Sequence, residues 1–418
     1  MKIKKTDLKH WLIFITILLS GLFLRFFNFS QRIIFGPEQA ISLATSAEYI
    51  RNGISLLGQP YFHHTSTGLT MFYGPQFNYM LLPFLPLFNY QPIPITVLFT
   101  LLNIFTALTI YLLVKKLTNK KTALLSFFFF IFNATMINYS LFIWGLHFFA
   151  LFGFLSFYFC LRFPKLKKPL LVSFFLGFIS ALGISFEYPY AVFALITLIA
   201  IFIRSKKKWA NSLSFVLGGI LGASPMILFD LRNSFYTLKV LYFYFIDQTV
   251  NTTHTVDPFH FLPLWGIACF VLAYLVQRFF KDKKIIFSLI IIAYLFFNLS
   301  SLQVDLRAAT GMPPGVSIGT YQNIAQIITA DEPENFNLAV LLDFDTLGRP
   351  LRYLLTYVYH QNPRGYDRYQ DIDALYVFAE NNYNIEKPQV WELKTYKPYQ
   401  IQTLKNYSSN HTLYKLNK

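Results

Sequence analysis

Charge is scarce in this sequence: Asp, Glu, Lys and Arg together make up 13% of its 418 residues. An ordinary soluble domain carries about 25%. That scarcity, with 55% hydrophobic residues and a mean hydropathy of +0.43, excludes a single water-soluble globule and predicts a polytopic membrane protein. Cysteine is nearly absent as well. The two present, Cys160 and Cys269, lie inside apolar runs, which argues against a disulfide framework or a thiolate metal site. Acids are the rarer charge, 20 against 36 Lys and Arg, leaving a formal net charge of +16. Aromatics are abundant by contrast: 48 Phe and 27 Tyr suit lipid-facing helices and interfacial belts.

A bilayer span needs about 20 mainly apolar residues. Nine stretches qualify, near 11–29, 92–114, 122–140, 141–161, 169–186, 188–203, 211–230, 261–279 and 285–302. Between them fall the basic clusters, carried by Lys2 to Lys9, Lys115 to Lys121, Arg162 to Lys168, Arg204 to Lys208, and Arg278 to Lys284. Nine spans put every cluster on one side, which the positive-inside rule makes the cytoplasm. The excess positive charge is then topological, and no nucleic-acid partner is expected. The N-terminus resembles a signal sequence in its charge order but lacks a small-residue cleavage site, so it reads as an uncleaved first helix.

The run 71–90 is apolar enough to cross, but counting it would invert the sidedness of all that follows. Pro75, Pro83 and Pro86 also argue against one straight helix. Residues 30–91 therefore read as one long external loop with a juxtamembrane or re-entrant segment. Composition shifts after about residue 302: eight of the 20 acids precede Leu302 and twelve follow. Strand-like "NLAVLLDF" and "ALYVFAE", with the helix-like "PLRYLLTYVYHQ" between them, predict a small external α/β domain over 303–418, behind a membrane domain over 1–302. No internal repeat is visible, against an inverted-repeat transporter.

With this orientation the N-terminus is cytoplasmic and the C-terminus extracytoplasmic. Six acids of the membrane half fall outside or at the outer ends of spans: Glu38, Glu48, Glu187, Asp230, Asp247 and Asp257. An acid at the bilayer edge is costly and needs a reason. Glu48, three residues before Arg51, has a ready partner. Glu38 opens the long loop beside Gly36 and Pro37 and reads as functional. In "FDLRN" (229–233), Asp230 and Arg232 form either a span-end ion pair or a substrate contact; a free Arg232 would suit a phosphate. Arg25, in "LFLRFF", either snorkels or meets a lipid headgroup. His63 and His64 are adjacent, poor spacing for two ligands on one helix face, and any metal stays unknown. His147 reads as a hydrogen-bonded helix residue.

The order "LFLRFFNF", an acid opening the outer loop, "AEYIRNG" and "GLTMFYGPQFNYMLLP" resembles the C-type (GT-C) membrane glycosyltransferases. The similar branch contains the dolichyl-phosphate-mannose protein mannosyltransferases and the lipid A aminoarabinose transferase-like proteins. The resemblance implies an all-α polytopic membrane domain with an extracytoplasmic α/β domain. It implies sugar transfer from a polyprenyl-phosphate donor, at the outer face of the cytoplasmic membrane, to a lipid glycan, polysaccharide or protein acceptor. That family's Asp-Glu pair is Pro37-Glu38 here, so either Glu38 is the base, the first candidate, or another acid such as Glu187 substitutes. Its second motif is Gly74-Pro75-Gln76-Phe77-Asn78-Tyr79, which places Tyr79 in the site. Its Lys-Tyr appears as Glu187-Tyr188, with reversed charge. Donor binding then falls to Arg25, Glu187, Tyr188, Asp230, Arg232, His63, His64 and Tyr79, with Mg or Mn as an optional aid. The competing classes are a lipid-linked glycan flippase and a catalytically inactive scaffold.

Overall fold

A computed structural model describes residues 5–64, 69–246, 258–302, 312–342, 345–407 and 410–418. Asp247 and Asp257 lie outside the described residues. The first apolar run forms helix α1 (Lys5–Phe26). Residues 30–91 are not an open loop but a folded layer. It holds α2 (Phe29–Arg32), α3 (Pro37–Asn52), the hairpin of β1 (Pro60–His64) and β2 (Thr70–Phe72), then α4 (Gln76–Leu81) and α5 (Phe84–Leu87). The prolines act as the sequence suggested: 71–90 holds two short helices, with Pro83 at the N-cap of the second.

The longest helix, α6 (Pro92–Leu117), starts on a proline at its first position and ends on Lys115 and Lys116. The next two expected spans break differently. Residues 122–140 divide into α7 (Lys120–Ile131) and α8 (Ala134–Tyr139), because Asn133 stops one helix and its side chain caps the other, accepting from the Met136 N–H at 3.1 Å. Then α9 begins only at His147 (His147–Arg162). Next come α10 (Pro169–Phe186), α11 (Ala191–Arg204), α12 (Lys208–Gly222), α13 (Ser224–Arg232), α14 (Tyr236–Ile246), α15 (Leu262–Phe280) and α16 (Lys284–Ser300).

Five helices among the described residues are long and apolar enough to cross a bilayer: Leu8–Phe26, Pro92–Leu117, His147–Lys165, Pro169–Phe186 and Pro258–Phe280. The pair α12 and α13 makes a sixth if taken as one span bent by 70°. The segments Tyr188–Arg204 and Lys284–Ser300 are apolar but shorter. His147 is buried and its Nε2 lies 2.9 Å from the Phe142 carbonyl, a hydrogen-bonded helix residue as expected. Both cysteines are free.

In a membrane, helices associate by close packing over small residues. Here α10 and α12 cross at bare backbone. A Cβ on Gly177 would lie 1.8 Å from the Phe215 carbonyl oxygen, and one on Gly218 would lie 1.9 Å from that of Phe174.

The tail contains the expected strands, β3 (Phe336–Leu341) and β4 (Ala374–Glu380), paired in parallel. Helix α17 (Ile318–Ala330) precedes β3; α18 (Arg349–Tyr353) and α19 (Trp391–Tyr396) follow it and β4 in turn. A terminal hairpin of β5 (Gln400–Tyr407) and β6 (His411–Asn417) completes the order β3-β4-β6-β5. Alternate residues serve the two faces. Leu338, Val340 and Phe378 join the cluster that includes Tyr321 and Ile324 of α17, while Ala339, Leu341 and Val377 pack with Leu393 and Tyr396 of α19.

The tail rests on the folded layer. The Tyr353 hydroxyl donates to the Tyr90 carbonyl at 2.8 Å, and the Phe35 and Tyr353 rings meet edge-on at 5.7 Å. Glu48 accepts from the Tyr357 hydroxyl, and Arg51 lies 4.5 Å over the Tyr357 ring. Glu48 also meets Arg51 at 3.7 Å, as the spacing predicted. Exposed pairs of that kind contribute little on their own, about 0–1 kcal/mol.

Candidate functional site

Helix α3 begins at Gly36, whose N–H donates to the Gln39 side chain at 3.0 Å, with Pro37 at the first helical position. Pro37 and Gln39 face inward and are buried; Glu38, between them, is exposed. Among the described residues no hydrogen bond or ion pair engages its carboxylate, although its backbone carbonyl accepts from the Ser42 hydroxyl at 2.9 Å. Protein nevertheless crowds around it, and the resulting desolvation raises the carboxyl pKa above the ordinary range. A helix N-terminus favours negative charge, so burial outweighs the dipole here.

The Gly74-Pro75-Gln76 segment ties this layer to the bent helix. The Gly74 N–H donates to the Ser185 carbonyl at 2.9 Å, at the end of α10. A Cβ on Gly74 would fall 2.3 Å from the Ser185 Cβ and 2.8 Å from the Met226 sulfur, so no side chain fits. The bend between α12 and α13 interrupts the helical hydrogen-bond run and leaves the Gly222 carbonyl, the last of α12, among the groups of a helix end that need a partner from elsewhere. The buried Gln76 side chain fills that vacancy, its Nε2 donating to the Gly222 carbonyl at 2.8 Å. Gly74→Ala should therefore destabilise the protein by about 1–3 kcal/mol. Thermal unfolding in detergent should show the loss; an unchanged midpoint would mean that neither α10 nor α13 limits that position.

The other site residues gather around this junction. Tyr188 donates to the Phe72 carbonyl at 2.6 Å, and the charges of Glu187 and Asp230 both act on its hydroxyl. Glu187 is 2% exposed. Asp230 does not pair with Arg232; it caps α14, accepting from the Thr237 N–H at 2.8 Å. Arg232 is exposed and has no partner among the described residues. Tyr236, just beyond, donates to the Thr70 carbonyl of β2 at 2.9 Å. Tyr79 is half-buried against α3's neighbourhood, donating to the Ser55 carbonyl at 2.5 Å.

Arg25 corrects the expectation. It neither snorkels nor faces the outer surface: it is fully buried, with its guanidinium on the Asn103 side chain at 2.8 and 3.1 Å and on the Gly21 and Ile131 carbonyls at 3.1 and 3.0 Å. Those four contacts make it an internal brace of α1, α6 and α7. His63 and His64 fall on β1, and their side chains lie outside the described residues. Among the described residues no three His, Cys, Asp or Glu side chains gather as a metal would require.

Sequence reading placed Gln76 and Asn78 in the second motif but gave them no role; both are buried polar residues. Asn78 donates to the Ser42 carbonyl and the Ser46 hydroxyl, each at 3.0 Å, and so fixes α4 against α3. It also missed a cleft of about 220 Å³ between α3 and the tail, whose wall includes Ile41, Arg349, Arg352, Tyr357, Arg364 and Tyr366. The signal was present in the dense Arg and Tyr content of 349–369.

No protein-family model matches the chain, and no curated protein sequence does. Solved structures do. The crystal structure of ArnT from Cupriavidus metallidurans in the apo state superposes over 98% of this chain and 98% of its own, with a TM-score of 0.59 at 12% identity. The same protein bound to undecaprenyl phosphate covers 97% and 98%, with a TM-score of 0.57 at 11% identity. At identities this low the superposition shows a shared fold alone.

Proposed function

We propose that this chain, which has the fold of the C-type membrane glycosyltransferases, moves a sugar from a polyprenyl-phosphate donor to an acceptor hydroxyl at the outer face of the cytoplasmic membrane. The observation that carries the reading is Glu38: an accessible, unpaired carboxylate with a raised pKa, standing where the resembled family keeps an acid. ArnT, structurally similar along its whole length, is a lipid A aminoarabinose transferase and binds undecaprenyl phosphate.

In the reaction, Glu38 takes the acceptor O–H proton as the oxygen attacks the anomeric carbon. The bond from that carbon to the phosphate oxygen breaks, and polyprenyl phosphate departs with the electron pair, inverting the configuration. Arg232, exposed and uncommitted, neutralises the departing phosphate. The prenyl tail stays in the bilayer, which is why the site stands at the membrane edge. The Arg- and Tyr-lined cleft above α3 receives the acceptor. Two further assignments belong to this reading. The two shorter apolar helices and the short α7 complete the crossings needed to place every basic cluster in the cytoplasm. The tail is then an extracytoplasmic domain over 303–418. No step is assigned to a metal.

A raised pKa has a pH signature. The base must be ionised, so the transfer rate should fall on acidification at a pH above the usual carboxylate range. Folded Glu38 holds its proton more tightly than the unfolded chain does, so stability should rise as pH falls through the same window. A rate profile flat down to pH 4 would contradict a single carboxylate base of this kind. The reading itself is tested by incubating purified protein with labelled polyprenyl-phosphate sugars. Release or transfer of the sugar supports it; binding without turnover supports the inactive scaffold, and movement of intact lipid across vesicles supports the flippase.

A further inference from the structure

At the end of the helix bundle opposite the folded layer lies a second, larger cleft of about 610 Å³. It forms where the start of α7 meets the end of α15, segments about 150 residues apart in the chain that pack along each other. Its wall holds Lys120, Lys121, Arg278 and Lys281 and no carboxylate. Topological lysines need only lie on one side of a membrane; nothing in that rule draws cations from two loops into one concavity. Lys281 meets the exposed carboxylate of its neighbour Asp282 at 4.0 Å, and an anion entering the cleft would offset the like charge of the rest. Tyr274 already holds Arg278 in place, its hydroxyl 3.0 Å from the guanidinium Nη1, so the fork is set before a ligand arrives.

What lies beside the cleft names the ligand. On α15, Leu264, Val271 and Leu275 are exposed and lead to Arg278 at successive spacings of seven, four and three residues, so they form one apolar strip that ends at the charged wall. A polar anion above an apolar strip at a helix end is the outline of a lipid. We propose that this cleft binds the phosphate of an anionic glycerophospholipid, with its acyl chains along α15. Basic pockets between membrane helices commonly take such headgroups. The site is separate from Glu38 and does not depend on the glycosyltransferase reading.

The test uses the full-length protein in nanodiscs or detergent, with phosphatidylglycerol and phosphatidylcholine as probes and bound lipid read by native mass spectrometry. The protein should retain phosphatidylglycerol at least about tenfold over phosphatidylcholine, on the scale of two lost charge contacts near a membrane surface. Lys121→Gln with Arg278→Gln should abolish that preference. Lys167→Gln with Lys168→Gln, an equal charge loss at exposed positions outside the cleft, should not. Arg278→Lys, which keeps the charge, should retain most of it and guards against misfolding as the explanation. Equal loss in both double variants would overturn the proposal, because general attraction would then suffice. Full displacement by glycerol phosphate or inorganic phosphate would overturn the lipid assignment in favour of a soluble phosphate.

Discussion

Glu38→Gln should lower sugar transfer by about 10²–10⁴-fold, the range expected for removal of a general base. The protein should still insert, run as one species and unfold at no lower a temperature than the wild type. The two halves of this prediction have one cause. A carboxylate that nothing pairs, held where desolvation raises its pKa, costs the folded state something and gives it no contact in return. Glutamine keeps the size and removes the charge. A structural acid behaves the other way: Asp230→Asn would weaken the cap on α14. Loss of activity without loss of stability therefore separates catalysis from architecture. Where the resembled family has a neighbouring Asp, this chain has Pro37. No second acid shares α3's first turn, so nothing adjacent can replace Glu38.

The second large effect concerns the crossing that carries Asp230 and Arg232. Gly218→Ala, or Gly177→Ala, should leave little monodisperse protein, because each new methyl meets a backbone carbonyl that cannot turn aside. Each substitution should cost about 1–3 kcal/mol at minimum, and more where α10 and α12 must separate. The neighbouring Gly219 supplies the control. Its Cβ would find the Gly177 carbonyl oxygen at 3.8 Å, ordinary contact distance, so Gly219→Ala should be silent or slightly stabilising. Size-exclusion profiles and unfolding midpoints of the three variants decide the matter. If Gly218→Ala and Gly219→Ala behave alike, the close approach is not what holds these helices together.

Much of this was legible in the sequence, and the limits have physical causes. Lipid solvation demands long apolar runs, so most membrane helices announced themselves, as did the change of composition after residue 302. The spans at 122–140 and 141–161 misled because hydropathy averages over a break: Asn133 is one polar residue in an apolar run, yet it ends α7 and caps α8. The strands β3 and β4 were visible as continuous apolar runs because both faces of that sheet are covered. The edge strand β5 is mostly exposed and polar, so it carried no such signal.

The site divides in the same way. Glu38 stood out because an acid is rare in such a chain. Arg25 stood out for the same reason and misled, since its role is fixed by the Asn103 side chain and the Ile131 carbonyl, both far from it in sequence. Gln76 was legible only as a member of a motif, without a role, because its partner, the Gly222 carbonyl, stands at a helix bend 146 residues away. Pairwise geometry of that kind leaves no mark on local composition.

A site at Glu38 can meet a donor at the outer face only if that end of the bundle and the tail share the extracytoplasmic side. With Cys160 and Cys269 replaced by alanine, single cysteines at Glu38, at Gln402 in the tail and at Lys121 can be labelled in intact cells with a membrane-impermeant thiol reagent. The first two should react from outside, and Lys121→Cys only after permeabilisation. Labelling that places position 38 and the tail in opposite compartments would contradict the proposal at its base.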